Sequence, residues 1–198
     1  SQISNQLEGD LALAQKRYRE ASAAYEKADP SLQNRNVTMA RYVAAKGAGA
    51  SRPEKVVEDW IARHPDDVDA ISVVAEAKRD AGDLTGATLM YEQAIAKAPG
   101  SAVLHNNLAM VYLDQGDPRA LPTAQKAYQL IPKAPPIQDT YGWALFKAGK
   151  PFEAATCFLE VQSRDDASRA LRQVPAASQL GGKATMLLNF GCDGATDA

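Results

Sequence analysis

A turn glycine returns roughly every 34 residues through the middle of this chain, a period characteristic of stacked helical repeats. Gly82, Gly116 and Gly149 mark it, and the helix-ending prolines Pro65 and Pro99 keep the same period. Between these marks the apolar residues follow a helical rhythm. In "AGDLTGATLMYEQAIAKAPGS", Ala87, Tyr91 and Ala94 recur at steps of four and three, the spacing of one helix face. Gly82-Asp83 and Gly116-Asp117 mark turns, and Pro99 and Pro132 close the units. A period this long and regular confines the chain to stacked copies of one small unit, because no single unit can bury its own apolar face.

The unit is a pair of helices. Small residues, Ala75, Ala87, Ala94, Ala109 and Gly142, fit where two helices cross closely, and large ones, Tyr25, Tyr91, Tyr112 and Phe158, fill the gap to the next pair. Glycine ends the first helix because it tolerates a left-handed backbone. Proline ends the second because it cannot continue it. This is the pattern of tetratricopeptide repeats, helix–turn–helix units of about 34 residues. The expected fold is therefore all-α, a right-handed α-solenoid with repeats at about 2–33, 34–67, 68–101, 102–134 and 135–168. Two units depart from the pattern. "AAKGAGASRPE" loosens the turn of 34–67 and puts Pro53 where alanine is usual, and "GDPRALP" leaves 102–134 one residue short. A capping helix is expected at 169–180, closing a single solenoid over 1–180. Residues 181–198, "GGKATMLLNFGCDGATDA" from Gly181, show no periodicity and read as an irregular tail.

Composition excludes several functions. Lys and Arg number 22 against 24 Asp and Glu, for a net charge of −2, and no basic stripe stands out to hold nucleic acid. No apolar run approaches the ~18 residues of a membrane span. The chain opens at Ser1 without a basic–apolar signal segment and reads as a mature or excised piece, with any membrane attachment residing in a segment absent from it. Cys157 and Cys192 make no disulfide framework; free thiols and one isolated bridge both remain open.

Two stretches are more particular than the general repeat. "LHNNLAMVYLDQGDPRAL" sets paired asparagines before Leu-Ala and a Gly-Asp-Pro-Arg-Ala-Leu turn, and "PPIQDTYGWALFKAGKPFEA" carries Asp-Thr-x-Gly-Trp one repeat later. The pairing resembles the tetratricopeptide lipoproteins of bacterial PEP-CTERM/exosortase systems, found beside exopolysaccharide genes. The resemblance spans about residues 6–162 and concentrates at 104–146. After about Val161 the chain departs from the family's further His-Leu-Ala helix pair. The resemblance implies a non-catalytic scaffold, periplasmic or outer-membrane-associated; a cytoplasmic chaperone adaptor is the alternative.

No catalytic set assembles. "GGKAT" at 181–185 partly resembles a phosphate loop, but Ala177 stands where a glycine is required and Ala184 where Ser or Thr must follow Lys183. His64, before Pro65, suits a helix end, where a partly cationic ring meets terminal carbonyls. His105 falls at an interhelix packing position. Two isolated histidines and distant cysteines do not make a metal site. Asp66-Asp67 and Asp165-Asp166 lie at unit junctions, where capping or solvation explains them better than acid–base work. The expectation is no enzyme, no cofactor and no metal.

What remains is a surface. In such arrays the first helix of each pair lines the inner face, and the register places there Arg35, Met39 and Tyr42; Asp69, Ser72, Glu76 and Arg79; Asn106, Asn107 and Met110; and Asp139, Thr140, Trp143 and Lys147. Exposed aromatics beside amides suit an extended peptide, because an amide both donates and accepts and an aromatic anchors a side chain. The competing reading has Asn107 cementing neighbouring first helices. The expected binding groove comprises Tyr42, Glu76, Arg79, Asn106, Asn107, Met110, Asp139, Thr140, Trp143 and Lys147, serving a protein or peptide partner. The carboxylate clamp of chaperone adaptors is not reproduced, since Asp69, Glu76 and Asp139 lie among Arg35 and Arg79. Self-association through exposed solenoid ends is a further alternative.

Overall fold

The computed structural model describes residues 1–160 and 164–173, and every regular element among them is an α-helix. The helices fall into two compact units, Ser1–Lys97 and Ala98–Ala198. The first unit holds α1 (Gln2–Ala14), α2 (Tyr18–Ala28), α3 (Arg35–Gly47), α4 (Lys55–Ile61), α5 (Val68–Asp80) and α6 (Leu84–Lys97). The second holds α7 (Ala102–Gln115), α8 (Ala120–Leu130), α9 (Pro135–Lys147), α10 (Pro151–Glu160) and α11 (Arg164–Leu171). Within each unit a helix packs chiefly on its sequence neighbours, and α9 also packs on α7.

The left-handed turn residue sets the period. Lys16, Gly49, Gly82, Gly116 and Gly149 all have φ between 58° and 81°, and they follow one another at nearly constant spacing, one repeat apart. Four of the five are glycine, the residue that adopts this conformation without strain. Seven residues before the turn residue stands a small side chain in four pairs: Gly9, Ala75, Ala109 and Gly142. Nine residues after it stands a ring in three: Tyr25, Tyr91 and Phe158, each no more than 2% exposed. The two positions meet in the first and last pairs. A Cβ on Gly9 would lie 2.6 Å from the Tyr25 ring, and one on Gly142 would lie 2.7 Å from the Phe158 ring.

The two atypical pairs depart from this rule. The pair α7–α8 is one residue short, so Ala124 replaces the ring, and Ala109, Ala124 and Ala144 form a close alanine contact ringed by Leu113, Leu121 and Tyr141. In α3–α4 the small position is Tyr42, which packs on the cluster of Leu32, Val57, Trp60, Ala70 and Val74. A long turn, residues 48–54, joins the two helices, and α4 is only seven residues long.

The end of the array differs from expectation. A helix begins at Arg164, five residues before the anticipated cap, and Ala167 and Ala170 on it pack into the cluster of Leu145, Ala154, Ala155, Cys157 and Phe158. α11 thus covers the apolar face of α10, as a solenoid's last pair requires. The remainder of the expected cap, the tail 181–198, Cys192 and the "GGKAT" stretch lie outside the described residues. Cys157 is a buried thiol.

Candidate peptide-binding surface

The inner positions of the first unit are anchored by ion pairs. Asp67 caps α5 by accepting from the Ala70 N–H at 3.0 Å. It also accepts from Arg35 Nε at 2.8 Å and from the Trp60 indole N–H at 2.9 Å, so one carboxylate ties α3, α4 and α5 together. Burial works against its charge, but the bonds from Arg35, Ala70 and Trp60 outweigh burial and hold the Asp67 carboxyl below its usual range. Arg35 further contacts Asp69 at 3.0 Å. Glu76 is exposed and Arg79 half-buried.

Tyr42 is not an open aromatic anchor. It is half-buried against the Trp60 and Val74 cluster, and burial pushes its phenol above the ordinary range. It borders a cleft of about 470 Å³ lined also by Lys46, Arg52, Pro53, Glu54, Lys78 and Asp80. The long turn builds one wall. Its charges are mutually paired, Lys46 with Asp80 at 3.1 Å, Arg52 with Glu58 at 2.8 Å and Lys78 with Asp83 at 3.2 Å. The sequence signalled the loosened turn through Gly47, Gly49 and Pro53, but not the cleft.

In the second unit the asparagines part company. Asn106, expected outside the interhelix core, is 7% exposed. Its Nδ2 lies 3.5 Å from Asn107 Oδ1 and 3.7 Å from Met110 Sδ, while its Oδ1 is buried with no hydrogen-bond partner among the described residues. Asn107 and Met110 are half-buried and retain access to solvent. Thr140, also placed on the inner face, is buried, and its hydroxyl donates to the Pro136 carbonyl at 3.0 Å. Lys147 is exposed.

Trp143 is the largest correction. The register sets it open in the groove. Instead it packs edge-on to Phe146 at 5.6 Å and to Phe158 at 5.4 Å, and the Arg169 guanidinium from α11 lies 5.6 Å from its ring centre. The helix that comes earlier than expected supplies that cover, so Trp143 is chiefly a packing residue. Asp139 is half-buried; burial pushes its carboxyl above the ordinary range, and Asp166 on α11 adds to the shift.

The histidines take local roles. His64 Nδ1 lies 3.2 Å from the Trp60 carbonyl oxygen and its ring stacks on Trp60 at 3.7 Å, while His105 Nε2 lies 3.0 Å from the Pro99 carbonyl oxygen. Among the described residues no three His, Cys, Asp or Glu side chains gather to hold a metal ion, and no helix is long and apolar enough to cross a membrane.

A tetratricopeptide repeat family model matches residues 90–120. No curated protein matches the sequence. Among solved structures, the crystal structure of MamA protein aligns with a TM-score of 0.69 at 16% identity, over 88% of this chain and 96% of that one. MamA AMB-1 aligns at 0.64 and 20% identity, over 88% and 97%. TTC0263, a thermophilic tetratricopeptide protein of Thermus thermophilus, aligns at 0.57 and 20% identity, over 96% and 100%. At these identities the likeness concerns the fold. The chain has the all-α fold of tetratricopeptide solenoids, and its clearest sequence match to that repeat lies at residues 90–120.

Proposed function

We propose that the chain is a non-enzymatic scaffold that binds an extended segment of a protein partner along the inner helices of the second unit, with its principal contact at Asn107 and Met110. The observation that carries this reading is the partial exposure of the Asn107 amide and the Met110 thioether, side by side on α7 over the buried Asn106. Asn107 keeps an accessible amide that can both donate to and accept from an extended backbone, and Met110 gives a polarisable, adaptable contact for a side chain. Asp139 and Lys147 on α9 supply rim charges of both signs, which tune register and encounter more than affinity. The setting we propose is the bacterial envelope, in exopolysaccharide or PEP-CTERM export. Its support is the sequence likeness at 104–146.

Selecting peptides from a random displayed library, and titrating the best binder calorimetrically, tests the binding surface. Asn107→Ala should weaken that binder by roughly 5- to 150-fold, equivalent to about 1–3 kcal/mol, with little change in thermal midpoint. A sharply lowered midpoint with unchanged affinity would instead make Asn107 interhelix cement. Fractionation of the source cells tests the setting: recovery in the soluble cytoplasmic fraction would remove the envelope assignment and leave the scaffold reading intact.

A further inference from the structure

Met110 on α7 and Trp143 on α9 hold the same place in successive repeats, six residues before the turn glycines Gly116 and Gly149. Asn106 and Asp139 likewise stand ten residues before those glycines. The two helices pack on one another. A segment that lies across Asn107 and Met110 and continues onto α9 therefore meets Trp143 and Asp139 next. Trp143 and Asp139 are half-buried, so each keeps some access to solvent.

A cation already sits at that place. The Arg169 guanidinium, reaching from α11, stands 5.6 Å from the Trp143 ring centre, within the range of a cation–π contact. It also pairs with Asp166, one turn earlier on α11, at 3.3 Å. Asp139 lies one turn before Trp143 on α9, and the Asp166 charge adds to the upward push that burial gives the Asp139 carboxyl. One aromatic ring and two carboxylates thus converge from α9 and α11 where positive charge is favoured. Arg169 is held there by its side chain alone. That side chain is 55% exposed, whereas α11 itself is fixed through Ala167 and Ala170 in the core cluster. The guanidinium can swing into solvent without moving its helix.

We propose that Arg169 is an internal stand-in for an arginine of the partner segment, which displaces it and takes the seat between Trp143, Asp139 and Asp166. This deepens the peptide-binding reading and rests on it for the course of the segment from α7 to α9. The partner is then a basic segment, with arginine placed next to the side chain that Met110 contacts. Arginine fits better than lysine, because its planar guanidinium stacks on a ring while its fork of N–H groups donates to carboxylates. An acidic segment is turned away by the two carboxylates. The exchange is one cation for another, so Asp139 and Asp166 are never left facing each other. Arg169 gives up an exposed ion pair, which contributes little.

The probe is the tripeptide acetyl-Ala-Arg-Ala-amide, titrated at constant ionic strength into the nitrogen-15-labelled full chain. Binding at one such seat is weak, so the titration runs from about 1 to 50 mM. The indole N–H signals of Trp143 and Trp60 are followed by NMR; the Trp60 N–H, bonded to Asp67, is the reference. The expected result is a saturable shift of the Trp143 signal, none at Trp60, and none at either with acetyl-Ala-Gln-Ala-amide. Arg169→Gln removes the internal competitor and should tighten the arginine peptide roughly threefold or more. Asp139→Asn, which leaves α11 untouched, should weaken it about two- to fivefold. An unmoved Trp143 signal overturns the proposal, as does an equal shift with the glutamine peptide. So does an Arg169→Gln chain that binds the arginine peptide no tighter than the parent, or an Asp139→Asn chain that binds it as well. The two readings fail separately. A library binder lost with Asn107→Ala beside a silent Trp143 keeps the surface on α7 and removes this seat; a shifted Trp143 beside a binder indifferent to Asn107→Ala does the reverse.

Discussion

Asp67 and Asp139 are both carboxylates beside an inner helix, yet their surroundings push them in opposite directions. Asp67 has a folded pKa below that of the unfolded chain, so its contribution to stability is fully present above about pH 4 and is lost as pH falls through the folded value. Asp67→Ala should cost about 1–3 kcal/mol at neutral pH, because the Trp60 N–H loses its buried acceptor and α5 loses its cap. In urea titrations the gap from the parent chain should hold constant between about pH 5 and 8 and shrink below pH 4. A gap independent of pH would show that the charge is not what counts. Asp139 has a raised folded pKa, so its ionised form destabilises the fold above that value, and protonation on acidification relieves it. Asp139→Asn should therefore raise the thermal midpoint at pH 7, with the advantage vanishing below about pH 4. A lowered midpoint at pH 7 would mean that the carboxylate has a cationic partner that offsets its burial.

At the scale of helices, the pairing of a small residue with a ring governs how closely two helices cross. Gly142 on α9 gives Phe158 on α10 its seat, and a Cβ there would stand 2.7 Å from the ring edge. Gly142→Val should lower stability by about 1–3 kcal/mol through overpacking, despite glycine's poor helix propensity. A neutral or raised midpoint in denaturant would show that Phe158 can swing aside at no cost. The pair α3–α4 obeys the same steric rule in reverse. With Tyr42 at the small position, the helices cannot cross closely at that level, and a long turn carries the chain to a displaced α4. Tyr42 borders the cleft beneath that turn.

For the whole molecule, stability is distributed along the array, because each helix contacts mainly its neighbours. Tyr91, 2% exposed on α6, should cost about 3–5 kcal/mol when cut to alanine, the range for a large buried aromatic. Nearest-neighbour coupling gives that variant an unfolding curve with more than one step in urea. A single steep transition, shifted by less than about 1 kcal/mol, would show that Tyr91 is not the keystone of its pair. Periodicity alone determined the all-helical fold, the turns at Gly82, Gly116 and Gly149, and the burial of Tyr25, Tyr91, Tyr112 and Phe158. These depend on short-range rules: backbone sterics at the turn and one apolar face per helix turn. Tertiary structure decided which inner-face residues stay open. Trp143 was placed on that face by the same counting that placed Asn107, but its access depends on α11 and Arg169, which arrive from outside its own helix pair. Asn106 and Thr140 point inward although their chemistry reads as surface, and Tyr42 leans on a core that includes Ala70 and Val74 from the next repeat. Register along one helix says which way a side chain leaves the backbone; what it meets there is set by the neighbouring helices, and no local pattern in the chain encodes that meeting.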